Sequence, residues 1–313
     1  MNHNKKDCVA ISYLTEQQLG DFNFSDTMVK FKVEKMMIEQ GIFGAKSGFN
    51  PGQKQKISKI NILIKKKYKY ELLENGFNSK DISAGKKVLN SKRITMAQNT
   101  RNFENAFAKK LGAKYALMVN SGSSANLLAA FASGNPLRKN HYKAGDEVIM
   151  PVLCWPTSLW PFVQFGLKPV FVDIKDDYNI DENKIESVIT KKTKAIIPVH
   201  WSGRPCELEK IKSISKKYNL KIIQDACHAI GSRYKSRHLV SYGDVCTYSM
   251  HPLKNLNIWG DGGFIITQNK ALAKKLYLIR NHGLKNRNIC EIFGFNSRLD
   301  SIQAVVANYK MKN

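Results

Sequence analysis

Short apolar runs alternate with amphipathic segments from about residue 100 to the end of the chain. The apolar runs have strand length and predict strands at residues 115–119, 147–151, 169–173, 195–200, 220–225, 244–250 and 264–267. Apolar residues at helical spacing predict helices at residues 103–111, 123–132 and 205–218, and from residues 271 and 298 onward. This alternation indicates an α/β fold, arranged as a three-layer α/β/α structure with a mainly parallel sheet.

The first eighty residues have a different pattern. Residues 26–40 predict an amphipathic helix, residues 44–59 a polar loop, and residues 60–64 a short apolar run before the lysines at 65–67. Glycine and asparagine interrupt the chain at residues 76–78. We therefore expect an N-terminal extension at residues 1–79, for which the sequence indicates no role.

Composition excludes several classes of protein. The chain has 313 residues, of which 43% are hydrophobic and 24% charged, so a disordered or collagen-like chain is excluded. Its six cysteines form no C-x-x-C pair, which argues against zinc ribbons and favours a reducing compartment. We find no apolar run of transmembrane length and no apolar segment of an export signal in the first twenty residues. These features predict a cytoplasmic protein with no membrane partner.

The net charge of +25 comes from 50 lysines and arginines against 25 acidic residues. Such an excess is compatible with a nucleic-acid partner or a polyanionic substrate. The basic residues are spread along the whole chain, however, and no nucleic-acid-binding motif surrounds the single dense run at 65–67. A general bias toward lysine explains the charge without a nucleic acid, and the charge favours a phosphorylated small molecule over a cationic one.

Four common catalytic or binding signatures are absent. The chain contains no P-loop, no G-x-G-x-x-G after a strand, no G-x-S-x-G and no H-E-x-x-H. These absences disfavour nucleotide triphosphatases, dehydrogenases, hydrolases of the elbow type and zinc proteases. Because α/β sheets bind ligands outside the carboxyl ends of their strands, the residues that follow each strand are the candidates for chemistry.

The first candidate is the segment N-S-G-S-S-A-N at residues 120–126, which follows a predicted strand and opens a predicted helix. Gly122 permits a tight turn, while the hydroxyls of Ser123 and Ser124 and the helix N–H groups converge on one point. This arrangement is typical of a phosphate site. An ordinary serine-capped helix explains the same residues.

The second candidate is Asp225 at the end of an apolar strand, followed by His228. A poorly solvated acid needs a cationic partner or hydrogen bonds, and a protonated pyridine nitrogen would serve as that partner. Asp225 is equally compatible with a helix cap or with a nearby arginine. His228 is compatible with a ring contact or with a buried structural role.

The third candidate is Lys254, which follows a predicted buried strand ending near Ser249 and precedes a glycine-rich turn at residues 260–263. A lysine acts as a nucleophile only when it is deprotonated, which desolvation or a neighbouring cation promotes. A solvated surface lysine is the plain alternative. Trp155, after another strand, completes the set: together these residues are the parts needed to hold pyridoxal 5'-phosphate by its phosphate, its ring and its aldehyde.

From about residue 80 to residue 313, the chain resembles the DegT/DnrJ/EryC1/StrS sugar aminotransferases, within the fold type I pyridoxal-phosphate enzymes. The resemblance depends on residues 93–96, 119–126, 198–200 with Gly203, 224–229, 248–263, 280–283 and 294–299. It implies a cofactor-binding large domain at residues 80–295. It also implies that residues 296–313 begin a small C-terminal domain that is truncated here.

The resemblance also implies roles for single residues. Lys254 corresponds to the lysine that binds the cofactor covalently, and Asp225 to the partner of the pyridine nitrogen. His228 takes the position of a residue beside the ring hydroxyl, and Trp155 that of the stacking aromatic. The implied phosphate ligands are Ser123, Ser124 and Ser249, together with Asn296 from a neighbouring subunit, so that a homodimer with shared sites is expected; no metal is expected.

The activity implied by the resemblance is transamination. An amino donor, typically glutamate, would supply nitrogen to the keto group of a nucleotide-linked sugar, in polysaccharide or amino-sugar biosynthesis. A related branch of the family removes a sugar hydroxyl and carries histidine in place of the lysine, so Lys254 favours amination. A dehydratase of the same family and a catalytically incomplete fragment remain the alternatives.

Overall fold

The structure is a computed structural model that describes residues 77–95, 98–134 and 141–312, all within the unit formed by residues 71–313. The elements predicted for residues 26–40, 44–59 and 60–64, and the lysine run at 65–67, lie outside the described residues. In the described ranges, none of the helices has the length and apolar character needed to cross a bilayer.

Strands of the described region form one main sheet and two short hairpins. The main sheet contains β1 (Tyr115–Val119), β2 (Glu147–Pro151), β3 (Lys168–Val172), β4 (Thr193–Ile196), β5 (Lys221–Asp225), β8 (Val245–Ser249) and β9 (Gly263–Thr267). The hairpins pair β6 (Arg233–Tyr234) with β7 (Arg237–His238), and β10 (Leu284–Asn286) with β11 (Ile289–Cys290).

The main sheet has the strand order β1-β9-β8-β5-β4-β2-β3. Strands β8, β5, β4, β2 and β3 pair in parallel, whereas β9 is antiparallel to both β1 and β8. The prediction of a mainly parallel sheet is confirmed. As a result, the carboxyl ends of β1, β8, β5, β4 and β2 all lie at one edge of the sheet.

Helices cover both faces of this sheet. They are α1 (Ser79–Asn90), α2 (Gln98–Lys110), α3 (Gly122–Gly134), α4 (Pro156–Gln164), α5 (Leu208–Tyr218), α6 (Lys270–Arg280) and α7 (Ser301–Lys312). Buried apolar residues form two clusters that take alternate residues from the strands. One cluster includes side chains of α2, α5 and α7, and the other side chains of α3, α4 and α6, so the two clusters lie on opposite faces.

Two helices were not predicted from the sequence. Helix α1 begins after Asn78, whose side chain accepts hydrogen bonds from the N–H groups of Lys80 and Asp81 in a capping box. Helix α4 begins at Pro156, where the missing N–H of proline is tolerated in the first turn, and it also contains Pro161. The prolines that make this stretch unlike a transmembrane segment therefore do not prevent a short helix.

A buried ion pair, Glu104 with Arg280, hydrogen-bonds to the backbone of β1, which is an edge strand of the sheet and leads into the serine-rich segment. Glu104 accepts a hydrogen bond from the Met118 N–H (2.9 Å), Arg280 donates to the Met118 carbonyl oxygen (2.7 Å), and the two side chains pair with each other. These bonds satisfy backbone groups that an edge strand otherwise leaves open to another chain.

Candidate active site

The candidate site lies where the carboxyl ends of β1, β8 and β5 meet the beginning of β9. Gly263, the first residue of β9, is paired with Val119 on one side and with Ser249 on the other. On the far side of β8, Asp225 is paired with Thr247. The topology therefore brings together the segments that follow β1, β5 and β8, although the segment after β1 precedes the other two by more than a hundred residues of sequence.

The serine-rich segment forms the start of α3. Ser121 caps the helix, since its Oγ accepts a hydrogen bond from the Ser124 N–H (3.0 Å) and also lies 3.0 Å from the Ser124 Oγ. Ser123 is exposed, and its Oγ donates to the Oγ1 of Thr157 in the first turn of α4 (3.0 Å). The serine that caps α3 is thus Ser121, and the serine whose hydroxyl is exposed is Ser123.

Gly122 is required by close packing at this point. A Cβ atom added at Gly122 would lie 2.7 Å from the Cβ of Ser249 and 3.2 Å from the Sγ of Cys227. Any side chain there would therefore displace the end of β8 or the residues after β5. The turn after β1 consequently lies directly against Ser249, which is itself buried.

Asp225 is the buried anion of the site, with 5% of its surface exposed. Its Oδ2 accepts hydrogen bonds from the Ser158 hydroxyl (2.5 Å) and the Asn126 amide (3.0 Å), and its Oδ1 accepts one from the Cys227 N–H (3.0 Å). These donors compensate the carboxylate for the water that burial removes.

Lys254 lies in a loop that hydrogen bonds close at its base. The Met250 N–H donates to the Gly262 carbonyl oxygen (2.7 Å), and the Ile258 N–H donates to the Met250 carbonyl oxygen (3.1 Å). Lys254 itself is half-buried, and among the described residues its ammonium group forms no hydrogen bond and no ion pair. No carboxylate of the described residues therefore pairs with Lys254.

Lys254 and Asp225 both change the pKa values of two neighbouring side chains, His228 and Cys227. Burial lowers the pKa of His228, the Lys254 ammonium lowers it further, and the Asp225 carboxylate opposes them. Burial raises the pKa of the Cys227 thiol, Asp225 raises it further, and Lys254 acts in the opposite direction. Burial and then the charge of Asp225 also raise the pKa of Cys154, to about 11.

The structure also locates three other predicted residues, His228, Trp155 and Asn296. His228 packs edge-on against Trp201, with ring centroids 5.8 Å apart. Trp155 is the N-cap residue of α4, two residues before Thr157 and three before Ser158, and is 53% exposed. Asn296 makes no described contact with the other predicted residues: it is exposed and accepts a hydrogen bond from Arg298 (3.0 Å).

Four polar residues of the site received no role from the sequence: Asn126, Thr157, Ser158 and Thr247. Asn126 carried a usable signal, because a short polar side chain within an apolar helix is unfavourable unless it has a partner. Thr157, Ser158 and Thr247 carried none. They are ordinary residues whose partners come from distant parts of the chain.

The donor set fits pyridoxal 5'-phosphate. A buried carboxylate suits a protonated pyridine nitrogen, a lysine suits an aldehyde, and a helix start bearing an exposed serine suits a phosphate. All three groups lie at one edge of the sheet. The residues present therefore match the chemical groups of this cofactor.

The sequence model of the DegT/DnrJ/EryC1/StrS aminotransferase family matches residues 77–313. A GDP-4-keto-6-deoxy-D-mannose 3-dehydratase of Yersinia pseudotuberculosis is 36% identical over 226 residues, which is 71% of this chain and 56% of the relative. The chain spans between 49% and 58% of the length of three such curated relatives.

The fold is also similar to those of solved structures. NtdA of Bacillus subtilis, with the cofactor PMP bound, is 32% identical with a TM-score of 0.70, over 76% of this chain and 54% of that chain. PseC of Helicobacter pylori, an aminotransferase of pseudoaminic acid biosynthesis, is 29% identical with a TM-score of 0.71, over 78% and 66%. These similarities establish the fold, and the bound PMP agrees with the cofactor that the donor set fits.

Proposed function

The chain belongs to the DegT/DnrJ/EryC1/StrS aminotransferase family, and we propose that it transfers an amino group to the keto group of a nucleotide-linked sugar. The observation that carries this proposal is Lys254, a lysine with no ion pair in the described part of the chain, at the edge of the sheet where the buried carboxylate of Asp225 also lies. The proposed cofactor is pyridoxal 5'-phosphate, which supplies an aldehyde and an electron-accepting ring.

Each predicted residue has a task in this reaction. Lys254 would hold the cofactor through its Nζ and, once released, move a proton to and from the reacting carbon as general base and acid. Asp225 would hold the proton on the pyridine nitrogen. Ser123, Ser124 and Ser249 would bind the phosphate, Trp155 would cover one face of the ring, and His228 would lie beside its hydroxyl.

The proposed substrates are glutamate as amino donor and a keto sugar linked to a nucleotide. The names of two relatives support a sugar substrate, since one is a dehydratase of a GDP-linked keto sugar and the other an aminotransferase of pseudoaminic acid biosynthesis. A net charge of +25 also suits an acceptor that carries a diphosphate.

The proposal extends to the organisation of the chain. We propose a homodimer in which Asn296 of one subunit contributes to the phosphate site of the other; its exposed position is compatible with that role. We also propose that residues 80–295 form the cofactor-binding domain and that residues 296–313 belong to a second domain. Size measurement in solution, with and without cofactor, tests the dimer.

Absorbance spectra with glutamate and a chemical analysis of the sugar product test the activity. After loading with pyridoxal 5'-phosphate, glutamate should convert the visible band of the bound cofactor to that of pyridoxamine phosphate. A nucleotide-linked keto sugar should then gain nitrogen. Loss of water from the sugar without gain of nitrogen would identify a dehydratase instead, the reaction named for the Yersinia relative. Absence of any cofactor band would contradict both activities.

A further inference from the structure

Two buried polar residues, Asn126 and Ser158, donate hydrogen bonds to the Asp225 carboxylate. We propose that Asn126 and Ser158 are positioning residues that hold the negative charge of Asp225 in place, so that a proton shared with the cofactor remains on the pyridine nitrogen. This inference rests on the proposed function because it concerns the same cofactor. It assigns a role to two residues for which the sequence indicated none.

The hydrogen bonds to Oδ2 carry the argument. Ser158 and Asn126 are 1% and 5% exposed, and both donate to the same carboxylate oxygen, at 2.5 Å and 3.0 Å. Hydrogen bonds to a charged acceptor are stronger than those between neutral groups, and they favour the charged form. Two side-chain donors on one oxygen therefore stabilise the carboxylate as an anion and fix its plane.

The orientation of the Asn126 amide follows from its second partner. The Thr247 hydroxyl lies 2.5 Å from the Asn126 Oδ1 and 3.2 Å from the Gln224 carbonyl oxygen. If the amide were rotated, its oxygen would face the Asp225 oxygen, and two acceptors would oppose each other. The Thr247 hydroxyl therefore donates to Asn126, and the Asn126 NH2 group is directed at Asp225.

The two donors also link Asp225 to the proposed phosphate site. Asn126 lies one helical turn after Ser123 in α3, and Ser158 follows Thr157 in α4. Ser123 and Thr157 are themselves joined by a hydrogen bond of 3.0 Å. The starts of two helices thus contact both Asp225 and the serine that would bind phosphate, which fixes the separation of these two groups.

Removal of a donor has a defined chemical consequence. Without Ser158 or Asn126, the negative charge on Oδ2 is less stabilised, so the carboxylate attracts a shared proton more strongly. The proton then moves from the pyridine nitrogen toward Asp225. Because the ring accepts electrons best when its nitrogen is protonated, the two residues support the reaction without touching the substrate.

The experiment measures the 15N resonance of the pyridine nitrogen in protein loaded with 15N-labelled pyridoxal 5'-phosphate. The variants are Ser158→Ala, Asn126→Ala and Thr247→Val, and Ser158→Thr restores a hydroxyl at the same position. Thr267→Val is the matched control, because Thr267 is fully buried like Thr247 and its hydroxyl donates to the Asp244 carbonyl oxygen (2.7 Å) at the other end of the strands.

We expect the resonance to shift toward that of unprotonated pyridine in Ser158→Ala and Asn126→Ala, and by a smaller amount in Thr247→Val. Ser158→Thr and Thr267→Val should keep the wild-type resonance. The inference is overturned if Ser158→Ala and Asn126→Ala bind the cofactor and retain the wild-type resonance. If Asn126→Ala does not fold, Ser158→Ala with its Ser158→Thr rescue decides alone. Wild-type protein that binds no cofactor would instead refute the proposed function.

Discussion

Gln224 and Asp225 are consecutive residues of β5, yet their side chains belong to two different networks. Successive side chains of a strand point to opposite faces of the sheet, so Gln224 lies on the face covered by α2, α5 and α7 and Asp225 on the face covered by α3, α4 and α6. Both residues are buried and both are hydrogen-bonded. They differ in charge and in what surrounds them.

The network around Gln224 is neutral and complete. Its amide donates to the Leu239 carbonyl oxygen and to the Cys246 Sγ, each at 3.0 Å, and its Oε1 lies 3.0 Å from the His200 Nε2. The Cys206 N–H donates to the His200 Nδ1 (3.1 Å), so the proton of the neutral imidazole is on Nε2 and Gln224 accepts it. Every group here has a partner within the protein, as in a structural core.

The network around Asp225 is charged and includes a group with no partner among the described residues. Asp225 has three donors, whereas the ammonium of Lys254 acts on the same region without an ion pair. The Gln224 network is thus neutral and fully paired, whereas the region around Asp225 contains a carboxylate and a lysine that pairs with no acid among the described residues. Substitutions on the two faces should therefore produce different kinds of defect.

Lys254→Ala should have the largest effect. Loss of the proposed general acid and base should reduce the rate of the proposed glutamate half-reaction by roughly 10²–10⁴-fold, or about 3–5 kcal/mol in transition-state free energy. Borohydride reduction should no longer attach the cofactor to this peptide. Lys221→Ala, at the opposite end of β5, is the matched control. A Lys254→Ala protein with wild-type rates would remove this residue from the mechanism.

The next largest effect is on the free energy of unfolding at acidic pH, through His200 in the network around Gln224. Burial lowers the pKa of His200 to about 4, from an ordinary value of 6.5. The unfolded chain therefore binds a proton between pH 6.5 and pH 4 that the folded protein does not, so the free energy of unfolding falls as pH decreases across this interval. The loss should approach about 3 kcal/mol near pH 4.

Urea unfolding of wild type and His200→Asn at pH 7 and pH 4.5 measures this contribution. Asparagine keeps an acceptor for the Cys206 N–H but does not titrate. The variant should therefore lose less stability than wild type on acidification. Equal losses in the two proteins would show that His200 is not responsible.

Gln224→Leu should reduce stability by about 2 kcal/mol and leave the cofactor chemistry intact. The substitution removes the acceptor of the His200 Nε2–H in a fully buried position, and an unsatisfied buried donor costs about 1–3 kcal/mol. Unfolding midpoints and cofactor titrations on the same samples separate the two effects. A fall in cofactor affinity as large as the fall in stability would show that the two faces are not independent.

Ser123→Ala and Ser121→Ala should show the smallest effects. The first should change cofactor binding, and the second the free energy of unfolding. Loss of the exposed Ser123 hydroxyl should weaken cofactor binding about fivefold, or about 1 kcal/mol, with little change in stability. Loss of the Ser121 cap should reduce stability by about 1 kcal/mol. The reverse assignment would show that Ser123 is structural and Ser121 binds the phosphate.

The sequence predicted the strands that end at Asp225 and Ser249, because continuous apolar runs of strand length are typical of a buried parallel sheet. It also placed Asp225 at the end of one such strand and Lys254 a few residues after another, at the edge where α/β sheets bind ligands. The predicted strand at 195–200 extends beyond β4, which ends at Ile196, although Val199 still forms an isolated bridge with Asp225. Helix α7 begins at Ser301, three residues later than predicted.

The sequence alone determined the order of strands and helices and the residue types at the strand ends, since both are local properties of the chain. Tertiary structure decided which of those residues meet: Ser158 and Asn126 reach Asp225 across 67 and 99 positions of sequence. Such contacts depend on the order of the strands and on which helix covers which face, and neither is a local property of the chain. The alternation of side chains along a strand already separates Gln224 from Asp225, but only the folded sheet shows that His200 and Cys246 lie with Gln224, and Asn126 and Ser158 with Asp225.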